Sequence, residues 1–102
     1  LFHMEFVKDL DAVAKYVYKK TGKSPALLGI SMGTIIVNEY LRIAEIPVSK
    51  VVFDGYVADP KSWNDKLAGK GKQVIKTFDC EHISGFFRYP EEYTDSVAEF
   101  LK

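Results

Sequence analysis

The chain has 102 residues, 47% apolar and 14% aromatic, with fourteen basic side chains balanced by fourteen acidic ones. Such a composition excludes a disordered chain, and the charge balance removes the basic face that nucleic-acid binding requires. The single Cys80 cannot form an internal disulfide, and no apolar run approaches the ~18–20 residues of a membrane span.

The chain is therefore expected to be cytoplasmic, without a membrane span, and to form one domain over residues 1–102. It opens on Leu1-Phe2-His3-Met4 and enters a helical pattern at once, which is expected of a fragment of a longer protein. Phe2, Phe6, Leu10, Val13 and Val17 recur at spacings of four and three, with Lys8, Asp11, Lys15 and Lys19 mostly off that line. This predicts an amphipathic helix with that stripe inward. Gly22 offers it a left-handed stop. The run from Pro25 to Ile30 is too short for a helix and suits a buried strand.

A second helix is predicted from Met32 to about Ala44. Ile35, Ile36, Val37, Tyr40, Leu41 and Ile43 cover most of its circumference, which predicts burial on nearly all sides. Pro47 ends the segment. Val51-Val52-Phe53 reads as the next strand, and Asp59-Pro60 opens a short helix through Leu67-Ala68. Val74–Phe78 reads as a third strand. Pro90-Glu91-Glu92 starts the last helix, with proline at its first position and acids at the positive end of its dipole. Tyr93, Val97, Phe100 and Leu101 are its expected buried stripe. Helices alternating with buried strands predict an α/β fold, a three-layer αβα core with a short, mainly parallel sheet. Ligands in such sheets bind beyond the carboxyl ends of the strands. Ser31, the Asp54/Asp59 region and His82 fall there.

Gly29-Ile30-Ser31-Met32-Gly33 is a G-x-S-x-G match between a predicted strand and a predicted helix. So tight a turn strains the serine backbone and lifts its hydroxyl above the sheet, while flanking glycines leave room for neighbouring backbone. The Met32 amide, at the helix N-terminus, is placed to donate to an oxyanion. The competing interpretation makes Ser31 a helix cap. A serine nucleophile needs a base. His3 precedes every strand and is assigned no role, whereas His82 follows the third strand, on the same sheet edge as Ser31. The base needs an orienting carboxylate. Asp59 is the first candidate, although it is also placed as the N-cap of the helix at Pro60, and Asp54 is the alternative. Asp79 and Glu81 lie too near His82 in sequence for easy geometry, and Cys80 beside it reads as a small buried hydrophobe. No metal-ligand spacing and no phosphate loop is present, so neither metal nor organic cofactor is expected.

At these residues the chain resembles the α/β-hydrolase superfamily. Gly29-Ile30-Ser31-Met32-Gly33-Thr34 looks like its nucleophile elbow, and Val51-Val52-Phe53-Asp54-Gly55 like the core strand that follows. Asp79-Cys80-Glu81-His82, then Phe87–Tyr93 and Val97–Leu101, is similar to its terminal histidine segment and helix. The order serine, acid, histidine also agrees. The resemblance implies hydrolysis of a carboxylic ester or related acyl bond in a small-molecule substrate. Two features depart from it. No strand or oxyanion loop precedes the first helix, and only residues 54–73 separate the second strand from the third, leaving no room for a cap domain. With so few strands, the chain is expected to self-associate or to need a missing remainder. Two rivals follow: a non-catalytic truncated hydrolase core serving binding or assembly, and a small α/β domain with a chance motif.

Overall fold

Three short aliphatic runs make the sheet. The computed structural model describes residues 2–55, 59–68, 73–78 and 90–102. Leu27–Ile30 forms β1, Val51–Asp54 forms β2 and Ile75–Phe78 forms β3. They pair in parallel in the order β1-β2-β3. Leu27, Val51 and Ile75 are in register at one end, and Ile30, Asp54 and Phe78 at the other. Parallel neighbours need crossovers, and these run through α2 (Gly33–Ile43) and α3 (Pro60–Ala68). Helix α1 (Phe2–Thr21) precedes β1, and α4 (Pro90–Leu101) follows β3. The result is a mixed α/β protein built on a small parallel sheet, with the element order that alternation predicts.

Residues in register share a face of a pleated sheet. Gly29 abuts α2, so that helix covers the face of Gly29 and Phe53. Tyr93 of α4 hydrogen-bonds Asp54 and packs on Phe78 at 5.1 Å between ring centroids, which places α4 against the opposite face. β2 is buried at all four residues, the pattern of a strand covered on both sides. β1 alternates instead. Leu27 and Gly29 are buried, while Leu28 and Ile30 remain 49% and 46% exposed. The core cluster joins Val7 and Ala14 to Leu27, Val37, Tyr40, Leu41, Val51, Phe53 and Ile75.

The inward faces of the helices differ from the expected ones. On α1 the buried positions are Val7 and Ala14, with Met4 and Leu10 packed beside them, whereas Phe6 and Val13 are 39% and 58% exposed. Residues 7, 10, 14 and 17 have the same period as 6, 10, 13 and 17. The adopted line puts small Ala14 inward, where α1 meets α2, and leaves half-buried Asp11 beside it, paired with Lys15 at 3.1 Å. α2 buries one stripe, Thr34, Val37, Tyr40 and Leu41, and leaves Ile35 and Ile43 exposed, so it is not covered all round. In α4 Tyr93, Val97 and Phe100 are half-buried, and Leu101 is exposed.

Polar side chains tie the outer helices down. Trp63 Nε1 donates to Asn38 Oδ1 at 2.7 Å, linking α3 to α2. Asn64 Oδ1 accepts from the Val74 and Ile75 amides at 2.8 and 3.0 Å, fixing the entry to β3. Lys50 Nζ donates to the Phe100 carbonyl at 2.6 Å, a cation at the negative end of α4. No described helix is long and apolar enough to cross a membrane.

Candidate active site

The turn from β1 into α2 begins as an extension of the parallel ladder. The Ser31 N–H donates to the Asp54 carbonyl at 2.8 Å. Ser31 then takes φ +56°, in the left-handed region, which costs a residue bearing a Cβ about 1–2 kcal/mol. Local bonds offset that cost. The Thr34 hydroxyl and amide both donate to the Ser31 carbonyl, at 2.7 and 3.1 Å, and the Ile35 amide donates to the Met32 carbonyl at 3.1 Å. The N-cap of α2 is Met32, already helical at φ −60° and ψ −25°, and no side chain caps the helix. Ser31 thus does not act as the cap. Its residue is exposed, and its hydroxyl makes no hydrogen bond among the described residues. The Met32 N–H likewise has no acceptor among them. It sits at the positive end of α2, where an anionic oxygen is favoured.

The two motif glycines are not equivalent. A Cβ on Gly29 would lie 2.8 Å from the Gly33 carbonyl oxygen and 3.0 Å from Val37 Cγ2, so only glycine lets β1 and α2 come this close. A Cβ on Gly33 would meet nothing within 4 Å among the described residues, so Gly33 leaves room for none of their backbone, unlike the expectation. Gly29→Ala should therefore force the helix off the strand and lower stability by about 2–3 kcal/mol, as overpacking does. That is roughly 10–20 °C in the thermal midpoint of a domain this size. Gly33→Ala should stay within about 1 kcal/mol of the parent. Equal melting curves for the two variants would contradict this packing. A third glycine, Gly55, completes the turn. At φ +138° it passes over the serine, and a Cβ there would touch Thr34 Cγ2 at 3.2 Å and Ser31 Cα at 3.6 Å.

The two candidate acids occupy different environments. Asp59 is exposed at φ +50°, and its Oδ1 accepts the Ser62 amide at 3.1 Å, so it caps α3. Asp54 ends β2 beside the turn and is 1% exposed. Its Oδ2 accepts the Tyr93 hydroxyl at 2.6 Å, and its buried Oδ1 has no partner among the described residues. Burial first, then the hydrogen bond to Asp54 and its charge, push the Tyr93 phenol far above its ordinary value, so it remains a neutral donor. The structure thus brings Ser31, Met32, Gly55 and Asp54 together at the carboxyl ends of β1 and β2. His82, with Asp79, Cys80 and Glu81, lies outside the described residues. Among those described, no group of three or more His, Cys, Asp or Glu side chains is placed to hold a metal ion.

In the sequence Tyr93 reads only as a core aromatic and Gly55 only as a strand end. The one available signal was Asp54-Gly55 directly after an apolar strand, where a charged residue would otherwise have to be buried. No protein-family model matches this chain, and neither a curated protein nor a solved structure matches it.

Proposed function

We propose that this chain is a serine hydrolase acting on a carboxylic ester or related acyl bond, with Ser31 as its nucleophile. The observation that carries the reading is the left-handed Ser31 at a strand-to-helix turn, exposed and unused as a cap. Strain of this kind persists where surrounding structure over-determines it, and it clusters at functional sites. In this reading Ser31 Oγ attacks the acyl carbonyl and passes its proton to His82. The Met32 N–H donates to the oxyanion that forms. Collapse expels the alcohol, which takes the proton back from His82, and water then releases the acid from the acyl-serine by the same steps.

His82 is assigned as base from its place in the chain after β3. For the acid we take Asp54 in preference to Asp59. Asp54 is buried beside Ser31 and keeps one carboxylate oxygen unpartnered among the described residues, whereas the Asp59 carboxylate is engaged at the start of α3. The three-layer, α/β-hydrolase-like arrangement is supported by α2 and α4 meeting opposite faces of the sheet.

The test is covalent. After incubation with a fluorophosphonate, peptide mapping should place one adduct on Ser31. An adduct on another residue, or none, would overturn the assignment. A second reading, a non-catalytic core serving binding or assembly, is favoured by the apolar side chains exposed near the turn, Leu28, Ile30, Met32 and Ile35. It predicts no adduct at all.

A further inference from the structure

Asp54 is buried to 1% exposure, yet no lysine, arginine or histidine pairs with it among the described residues. Buried carboxylates are normally matched by a cation or several donors. The donor found here is a phenol, Tyr93, at 2.6 Å from Oδ2. The choice has a chemical consequence. A cation at Oδ2 would neutralise the carboxylate and weaken its attraction for a positively charged imidazole. A neutral hydroxyl fixes the position of the group and leaves its charge available. Burial, then the bond to Asp54 and its charge, push the phenol above its ordinary value, which favours the neutral donor.

The tyrosine is itself packed in place. Its ring packs on Phe78, the residue in register with Asp54 on β3. Further along α4, the Phe100 carbonyl is tied to Lys50, immediately before β2. Two of the attachments of α4 thus reach β2, at Asp54 at its carboxyl end and at Lys50 just before its start. We propose that Tyr93 is a positioning residue for Asp54, holding the carboxylate through Oδ2 so that Oδ1 is the oxygen presented to the catalytic base. This rests on the serine-hydrolase reading.

The experiment is Tyr93→Phe in the full chain, which keeps the ring packing and removes only the hydroxyl. The readout is the rate of Ser31 phosphonylation across fluorophosphonate concentrations. The limiting rate should fall about tenfold, the weight of one hydrogen bond to a charged group, with the half-saturating concentration unchanged. In an Asp54→Asn background the same substitution should have no further effect, because the two groups act as one unit. A limiting rate equal to the parent's would overturn the proposal. So would a loss matched by the loss of folded protein seen by circular dichroism, or a tenfold effect that persists in the Asp54→Asn background. In each of these cases Tyr93 does not act through Asp54, and the hydrolase reading survives. Absence of an adduct on Ser31 in the unsubstituted chain would remove that reading and this inference together.

Discussion

Ser31→Ala is expected to abolish phosphonylation and to lower ester turnover by about 10⁴–10⁶, while changing stability by less than about 0.5 kcal/mol. The two halves of this result separate the nucleophile from the cap. Had the hydroxyl capped α2, its removal would cost about 1 kcal/mol of stability. The N-cap is Met32, with no side-chain cap, and the Ser31 hydroxyl has no hydrogen bond among the described residues. Alanine carries the same Cβ, so the left-handed strain at φ +56° passes to the variant. The bonds from Thr34 reach the Ser31 carbonyl and are untouched by the change. Nothing that holds the turn is lost, and the effect falls on the chemistry alone. Adduct mapping, p-nitrophenyl ester turnover and a thermal melt check the three parts. Retained turnover in a normally folded variant would sink the assignment.

The order of elements was legible because it rests on local signals. Gly22, Pro47 and the Asp59-Pro60 pair punctuate the chain, and three short aliphatic runs fall between helical segments. The turn at Ser31 was legible for the same reason, since five consecutive residues carry it. The helix faces were harder to read. On α1 two stripes of equal period differ by one residue, and the larger side chains, Phe6 and Val13, lie on the one left outside. Periodicity cannot choose between them when the decisive feature is a small residue, Ala14, at a helix contact. On α2 apolar residues all round the helix hid the stripe that is buried. The environment of Asp54 was obscured by distance. Asp54 and Tyr93 lie 39 positions apart, and only sheet register together with the docking of α4 brings them into contact. Asp59 and Asp54 stay open as alternatives in the sequence, because a capping role and a catalytic role look alike in a one-dimensional chain.

Asp54→Asn is expected to reduce the rate of Ser31 phosphonylation, and ester turnover with it, by about 10³–10⁴, the effect of losing the orienting charge of such a triad. The substitution preserves shape. The amide oxygen can take over the bond from the Tyr93 hydroxyl, 2.6 Å away in the parent. The amide nitrogen then occupies the place of buried Oδ1, which has no partner among the described residues. In the proposed triad a donor in that place would meet the His82 imidazole with the wrong polarity and favour the tautomer that cannot take a proton from serine. Stability should move by no more than about 1 kcal/mol in either direction. A buried charge with a single neutral donor is removed, which favours the folded state, but an amide N–H is left without an acceptor, which costs a similar amount. Asp59→Ala supplies the contrast. Loss of its bond to the Ser62 amide should lower stability by about 1 kcal/mol and leave the phosphonylation rate unchanged. Melting curves and labelling rates measured on both variants decide between the carboxylates. If Asp59→Ala loses the rate and Asp54→Asn keeps it, the acid is Asp59, and the buried bond between Asp54 and Tyr93 serves only to fasten α4 to the sheet.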